Sequence, residues 1–511
     1  MTLIPLKIPA GFYRTGTDLD ASGRWRDGSL VRWRDGSLRP IGGWREHDTL
    51  GKITTYAPRG AHVWRSNAGT RYMAVGTYSE LFAGIASGSK FDITPTDLTD
   101  GQEIAGSNLG YGYGFYGGNG TSIQTGHTYG TPRPDTGANV IEATTWSIDN
   151  FGEFLVACST ADGRLLEWQL GTSAKAAPIT NAPTNNEGLI VTEERFILAL
   201  GASNNPRKVQ WCDRENNTVW SPLATNEAGD YELQTSGSIQ TAVRTRGQTL
   251  ILTDVDAHTA RYIGPPYVFG FERVGTSCGI LSRKAVADTD AGVFWMGTGG
   301  FFRFDGNRVS EIPCAVHDHV FDNLNINQIS LTWAHVNAEH GEIWWFYCSD
   351  AANEIDKYVA FDYKENHWLI GDLSRTAGAP RGVFAYPMLF DDDGYAYDHE
   401  VGLSYDTSAS DTTQKSVFAE TGPVSLGNGD NVMHVTDLIT DEKTQGDVNI
   451  KFKSRFYPNA AETTHGPFTP ANPTPVRFQG RQVRMRVEGD TPYADWNVGT
   501  MRMDAKKGGK R

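Results

Sequence analysis

The chain has 511 residues, enough for one large domain with one or two smaller ones, and its net charge is −14. An acidic chain of this kind is a poor candidate for tight duplex binding, which needs clustered Lys and Arg. The 57 Gly, 14 Trp and 11% aromatic residues favour short strands and tight turns over a helical fold.

The N-terminal segment, residues 1–50, contains a tandem repeat. The sequence RWRDGSL occupies residues 24–30 and recurs at residues 32–38. Each copy contains Asp-Gly, which is typical of a type I′ hairpin turn because both central residues need a positive φ. The segment therefore predicts two small turns between short strands. Its basic and aromatic side chains form a candidate docking face for a protein partner, the alternative being an ordinary hairpin with solvated arginines. The candidate residues are Arg24, Trp25, Arg32, Trp33 and Trp44.

Residues 51–405 repeat a looser pattern, in which an apolar strand and a turn precede a strand rich in aromatic residues. The units recur at roughly 40 to 50 residues, the length of a four-stranded propeller blade. Five of these strand pairs begin at Phe154, Arg195, Thr249, Gly292 and Glu342. The pattern predicts an all-β fold, a β-propeller of about six blades, whose best helix candidate lies near residues 317–323.

A Gly/Tyr-rich segment, residues 96–145, interrupts this repeat. Such a sequence cannot build a core of its own, so it predicts an inserted loop that projects from the propeller. Its aromatic side chains could pack against the same loops of neighbouring subunits and narrow a channel tip, the alternative being a disordered surface loop. The tip candidates are Tyr111, Tyr113, Phe115, Tyr116 and Tyr129.

The C-terminal region, residues 406–511, begins with a polar stretch and continues with strands in which apolar and basic residues alternate, as in residues 448–453 and 483–487. This alternation predicts a small antiparallel β domain with one buried face and one face lined by Lys and Arg. We expect it to form a platform together with the N-terminal segment. The basic tail supplies further docking candidates, Lys506, Lys507, Lys510 and Arg511.

The cysteines and the first residues exclude several classes. The five cysteines lie tens of residues apart without a CxxC pair, which predicts buried thiols and neither a disulfide framework nor a zinc ribbon. The short, Pro-broken apolar start is not typical of a signal peptide. No apolar run approaches the roughly 18 residues that span a bilayer.

Three motifs have chemically suggestive residues but incomplete patterns. Cys314, His317 and His319 lack an evident fourth zinc ligand. The acidic run at 391–394 does not fit the calcium-loop register, which favours a turn. Residues 159–163 resemble an Asp-box of sialidase propellers but do not recur from blade to blade. Since no P-loop, GxSxG or HExxH sequence occurs, we expect no catalytic residue, no metal and no cofactor.

Both chain ends resemble one family. The matching segments are Ile4–Thr17, Gly23–Arg34, Arg39–Trp44, Arg481–Arg486, Gly499–Met503 and Gly508–Arg511. They are similar to podovirus tail nozzle proteins, also called packaged-DNA stabilisation proteins or tail tubular protein B. The Gly/Tyr-rich insertion is similar too, whereas the rest of the middle of the chain shares only the architecture.

The resemblance implies a structural protein of the virion tail, assembled in the host cytoplasm. It implies a homohexameric tube below the portal and the head-to-tail adaptor protein, with tail fibre, spike or needle proteins as further partners. Double-stranded DNA would pass through the tube without sequence specificity. The rival hypothesis is a carbohydrate-binding or depolymerising tail propeller whose exposed aromatic side chains stack on sugars. A minor virion scaffold without a channel is a third hypothesis.

Overall fold

Strands account for nearly all of the regular structure. The computed structural model describes residues 3–107, 140–408, 411–425, 431–441, 443, 446–489 and 494–509. Within these residues the helices are the α-helix His317–Phe321 and the 3₁₀ helices Ala202–Asn204 and Ile326–Leu331. The α-helix lies where the sequence predicts one.

Seven four-stranded antiparallel sheets follow one another around a ring, each with its strands in spatial order from the inside outwards. We number them as blades 1 to 7. Blade 1 comprises Gly60–Arg65, Arg71–Gly76, Leu81–Ile85 and Lys90–Asp92. Blade 2 comprises Trp146–Phe151, Phe154–Ser159, Leu166–Trp168 and Ala177–Pro178. Blade 3 comprises Gly188–Val191, Ile197–Leu200, Lys208–Trp211 and Gly229–Glu232. Blade 4 comprises Ile239–Thr245, Gln248–Thr253, Asp256–Gly264 and Val268–Thr276.

The remaining blades complete the circle. Blade 5 comprises Val286–Thr289, Gly292–Met296, Phe301–Phe304 and Val309–Ile312. Blade 6 comprises Trp333–Asn337, Glu342–Tyr347, Lys357–Asp362 and His367–Asp372. Blade 7 comprises Ala377–Ala379, Met388–Phe390, Ala396–His399 and Trp44–Glu46. The inner strand of blade 7 contacts the inner strand of blade 1, so the ring is closed.

The propeller predicted from the sequence is confirmed, with seven blades in place of about six. Blade 7 escapes the repeat pattern because its inner three strands are only three or four residues long. Its outermost strand comes from the N-terminal segment, where Trp44 pairs with His399 and Glu46 pairs with Tyr397. The predicted boundary at residue 50 therefore cuts through this blade.

Neighbouring blades pack through large apolar side chains. Trp146 of blade 2 is fully buried against blade 1, and its indole nitrogen donates to the carbonyl of Thr77 at 2.6 Å. A Cβ atom at Gly76 would lie 2.5 Å from the indole ring, so only glycine leaves room for this tryptophan. The contact shows how one small and one large residue set the spacing of two blades.

The two chain ends build a second β structure, which we call the terminal module. Its first sheet has the order Leu3–Leu6, Met501–Lys507, Met433–Ile439 and Thr474–Gly480. Its second sheet has the order Trp25–Ser29, Phe418–Thr421, Gln482–Gly489, Val448–Arg455 and Thr463–Phe468, with Val424–Ser425 also on Gln482–Gly489. The module also includes the hairpin of Val31–Arg34 and Ser37–Pro40. Two minor ladders lie elsewhere, Gly106–Ser107 with Val140–Ile141 and Asp406–Ser408 with Asp411–Gln414.

The two Asp-Gly pairs of the repeat adopt different structures. Asp35 and Gly36 both have positive φ and form the predicted hairpin turn. The first pair lies inside a strand instead, which corrects the prediction of a turn there. Gly28 is required for another reason, because a Cβ atom at this position would lie 2.3 Å from the ring of Phe12. The chain turns at Leu30, which has a φ of 57°.

A buried ion cluster joins the hairpin to the propeller. The guanidinium of Arg32 donates two hydrogen bonds to Glu342 of blade 6, at 2.8 and 2.9 Å, and two to Glu400 beside blade 7, at 2.9 and 2.6 Å. Burial opposes ionisation of Glu400, but Arg32 and His340 outweigh it and hold the pKa of Glu400 well below its usual range. The hairpin is therefore fixed to two blades at once.

Candidate functional site

The two ends of the propeller ring differ in their loops. All inner strands run in the same direction, so one end carries the turns between the first and second strands of the blades. We call this end the turn face, and the opposite end, where the chain enters each blade, the linker face. Ligand sites often lie at such loop-lined ends, so each face is a candidate site.

The turn face is open. A cavity of about 1050 Å³ lies among the turns of blades 4 to 6, and a second of about 550 Å³ continues towards blades 2 and 3. Thr245, Arg246 and Asp288 line both. Burial raises the pKa of Asp288 to about 6, against a weaker opposing effect of Arg244. No sequence pattern predicts this cavity, because its walls come from turns that are far apart in the chain.

One carboxylate links three inner strands just inside the turn face. Asp149 of blade 2 accepts a hydrogen bond from Arg244 of blade 4 at 3.1 Å and another from the backbone nitrogen of Val191 of blade 3 at 3.0 Å. Burial lowers the pKa of the neighbouring Lys284 to about 8, partly offset by Asp149. The ion pair of Arg244 and Asp149 thus joins blades 2 and 4 directly.

The linker face is covered by the base of the 96–145 insertion. The backbone nitrogen of Ala105 donates to the side-chain oxygen of Gln328 at 2.9 Å, and the Gln328 amide donates to the carbonyl of Ala105 at 3.0 Å. On the other stem, the backbone nitrogen of Ala143 donates to Ser330 at 3.1 Å. The two ends of the insertion thus contact the segment between blades 5 and 6. This segment lies across the ring from blades 1 and 2, between which the insertion occurs in the chain.

The predicted channel-tip residues themselves are not among the described residues. Tyr111, Tyr113, Phe115, Tyr116 and Tyr129 all belong to residues 108–139, which lie outside the part of the chain that the structure describes. Their role in narrowing a channel stays a prediction.

The docking candidates divide into buried and exposed groups. Trp25, Arg32, Trp33 and Trp44 are all at most 4% exposed, so the structure corrects their assignment to a docking face. They pack in the terminal module and in blade 7, where Trp33 contacts the rings of both Phe12 and Trp25. The alternation of Trp with Arg does not predict this burial, because contacts such as Phe12 and His367 lie outside the repeat.

The other candidates stay accessible or undescribed. Arg24 is exposed, with its guanidinium 5.1 Å from the ring centre of Tyr13, and Lys506 and Lys507 are exposed at the end of a strand. Lys510 and Arg511 lie outside the described residues. The accessible basic residues are therefore fewer than the sequence suggests.

The residues singled out for metal or calcium chemistry have other partners. His317 is hydrogen-bonded to Asp318 and to the carbonyl of Gly299, and burial lowers the pKa of His319 to about 4. Burial raises the pKa of the Cys314 thiol to about 12. The acidic run at 391–394 forms the predicted turn, in which Asp391 accepts a hydrogen bond from the backbone of residue 395. All five cysteines are free thiols, four of them buried.

Comparisons with known proteins assign this chain to no family. No protein-family profile matches the sequence, and no curated protein is significantly similar to it. A streptogramin B lyase structure aligns with 70% of this chain and 97% of its own, at 8% identity and a TM-score of 0.39. Virginiamycin B lyase from Staphylococcus aureus aligns with 68% of this chain and 97% of its own, at 9% identity and a TM-score of 0.40.

YCF48 from Cyanidioschyzon merolae gives a similar result, covering 70% of this chain and 98% of its own at 8% identity and a TM-score of 0.39. At such values these similarities carry no argument about activity, substrate or partner. Among the described residues, no helix is long and apolar enough to cross a membrane.

Proposed function

We propose that this protein is a structural subunit of the tail nozzle of a short-tailed phage. In this proposal it forms a homohexameric channel below the portal and adaptor, retains the packaged DNA and conducts it during ejection. It is a component of the virion, it has no enzymatic activity, and it contacts the adaptor and the fibre, spike or needle proteins.

One observation carries the proposal. The segments that resemble nozzle proteins lie at opposite ends of the sequence, yet they pair directly in the terminal module. Leu3 to Leu6 pair with Asp504 to Met501, and Phe418–Thr421 bridges Trp25–Ser29 to Gln482–Gly489. Because most of these terminal segments belong to one structural unit, the resemblance supports a shared role for that unit, which we take to be attachment and ring formation.

The charge of the chain is consistent with a conduit. Several copies around an axis would multiply the net charge of −14, and an acidic wall repels phosphates. DNA could then slide through without the retention that neutralising contacts would cause. The exposed Lys506 and Lys507 would face protein partners and not DNA.

Electron microscopy of the purified chain, and of intact virion tails, tests the proposal. We expect rings of six copies, with the terminal module towards the adaptor. Tails in which this chain forms no ring around the DNA path would contradict the proposal.

The docking role of the basic tail has its own test. Lys506→Ala with Lys507→Ala should reduce the yield of adaptor-joined tails and leave the thermal unfolding of the chain unchanged. Arg273→Ala with Arg308→Ala, two exposed cations of blades 4 and 5, is the matched control. Equal tail yields for both double variants would exclude a docking role for these lysines.

A carbohydrate-depolymerising propeller is the second candidate, and the turn-face cavity is the observation that favours it. A carboxyl group with a pKa near 6, such as Asp288, suits a general acid. Asp288→Asn would then abolish polysaccharide cleavage, whereas Asp305→Asn in the same cavity would not. Under the nozzle proposal, polysaccharide cleavage is absent from the wild-type chain and from both variants.

A further inference from the structure

Three side chains that can bind a metal ion meet where blade 6 contacts the hairpin of the terminal module. Asp362 ends the third strand of blade 6, His367 begins the fourth, and Glu365 lies in the turn between them. One potential ligand atom of each residue lies within 4.8 Å of the other two. Asp362 and His367 are direct cross-strand partners, so their side chains lie on the same face of the blade.

The imidazole of His367 makes no hydrogen bond to any part of the chain that the structure describes. The residue is 6% exposed, and neither Nδ1 nor Nε2 makes a hydrogen bond. Nε2 lies 4.0 Å from Oδ2 of Asp362, which is too far for a hydrogen bond. This distance allows both atoms to bind one ion, because each ligand atom would lie about 2.0–2.2 Å from that ion. A buried polar group without a partner costs free energy, and a bound cation would remove that cost.

Backbone donors orient both carboxylates. Oδ1 of Asp362 accepts hydrogen bonds from the backbone nitrogens of Lys364 and Glu365, each at 2.8 Å, which leaves Oδ2 for the side facing His367. Oε1 of Glu365 accepts from the backbone nitrogen of Asp35 at 3.0 Å. Ligating carboxylates are typically held by such outer contacts. Here one of these contacts comes from the hairpin turn of the terminal module.

We infer that Asp362, Glu365 and His367 bind a divalent cation that fastens the hairpin to blade 6. Two carboxylate oxygens with one imidazole nitrogen suit a first-row transition ion such as Zn²⁺, since Mg²⁺ and Ca²⁺ prefer ligand sets made of oxygen alone. An adjoining cavity of about 150 Å³, lined by residues that include Asp35, Asp362 and Glu365, has room for water to complete the coordination. The inference is independent of the nozzle proposal.

Titration of the EDTA-treated full chain with Zn²⁺ tests the site, with Co²⁺ as the spectroscopic probe. We expect one saturable equivalent and a higher thermal unfolding temperature in Zn²⁺. Glu365→Gln should weaken binding at least about tenfold, because even the loss of an outer contact to a metal ligand has an effect of that size. Glu365 is exposed, so this variant should fold as the wild type does in EDTA.

Glu339→Gln is the matched control, because Glu339 lines the same cavity but pairs with Arg381. It should bind Zn²⁺ as the wild type does. The Co²⁺ spectrum should lack a thiolate charge-transfer band, since no cysteine belongs to the site. The inference is overturned by no saturable binding, by equal affinities of Glu365→Gln and the wild type, or by a thiolate band. Anomalous scattering from Zn²⁺ beside His367 would support it without any variant.

Discussion

The propeller and the terminal module are both built from antiparallel strands around buried apolar side chains, but the terminal module adds ion pairs between distant parts of the chain. Blades pack through apolar and aromatic side chains, of which Trp146, Trp295 and Trp345 are fully buried. The terminal module also buries apolar side chains, as along Val448–Arg455, and it adds ion pairs centred on one aspartate. Asp18 contacts Arg26 at 2.9 Å and Arg455 at 3.0 Å, and it also pairs with Arg484.

The difference follows from chain connectivity. Six of the seven blades are made from one continuous segment, so turns set the strand register and apolar packing completes the sheet. The terminal module joins segments from opposite ends of the sequence, and no turn can set their register. Charge pairs between the two ends are directional, so they add to the alternating apolar pattern in favouring one register.

The largest expected effect is at the junction of the two regions. Arg32→Ala leaves Glu342, which is almost fully buried, and Glu400 without their cation, and this should cost about 3–5 kcal/mol of unfolding free energy. Denaturant unfolding measures it. Arg34→Ala, at an exposed position of the same hairpin, should stay within about 0.5 kcal/mol of the wild type. A cost below about 1 kcal/mol for Arg32→Ala would show that the junction does not depend on this cluster.

The second-largest expected effect is a loss of stability through overpacking between two propeller blades. Gly76→Ala would push a methyl group into the ring of Trp146, and overpacking of this kind costs about 1–3 kcal/mol. Gly299→Ala is the control, because no atom lies within 4 Å of the added Cβ there. Thermal unfolding of both variants decides whether space around the tryptophan is limiting. Equal stability of the two would refute that.

A third effect depends on pH. Burial in the propeller lowers the pKa of His335 to about 4, whereas its value in the unfolded chain is about 6.5. Between these values the unfolded state binds the proton and the folded state does not, so stability falls as the pH falls. From pH 7 to pH 5 the loss from this one group should be about 1–2 kcal/mol. His335→Gln should flatten the pH dependence by that amount, and an unchanged slope would argue against a buried neutral histidine.

The smallest expected effect tests the role of ion pairs in the terminal module against apolar packing in the propeller. Asp18→Ala removes a partly exposed partner of three arginines and should cost about 1 kcal/mol. The cost should shrink in about 1 M salt, where charges are screened within a few ångströms. The cost of Gly76→Ala should not shrink, because packing is insensitive to screening. Equal salt dependence of the two variants would contradict the division proposed here.

Local signals predicted the parts of the fold that local residues decide. The blade repeats, the turn at Asp35-Gly36 and the helix at His317–Phe321 are of this kind. The same dipeptide at Asp27-Gly28 gave a wrong prediction of a turn. Its glycine is required by a contact with Phe12, which lies outside the repeat. The burial of Trp25 and Trp33 depends in the same way on partners that the repeat does not contain.

The candidate sites were harder to predict for a similar reason. The turn-face cavity gathers side chains from turns of several blades, and no spacing in the sequence marks it. Asp362, Glu365 and His367 lie just after the last predicted strand pair, which begins at Glu342. Their spacing fits no standard zinc or calcium motif, so the sequence alone predicts no site there.

The outermost strand of blade 7, Trp44–Glu46, is among the first parts of the chain to be synthesised, while its partner strand Ala396–His399 is made much later. The strand Leu3–Leu6 waits longer still, until Met501–Lys507 has left the ribosome. During translation, blades 1 to 6 can therefore form an open arc whose two end blades each expose an apolar face, and such faces are prone to associate with other chains. The ring can close only after Ala396–His399 has been made, and the terminal module only after Met501–Lys507, so a product that ends before residue 396 can close neither.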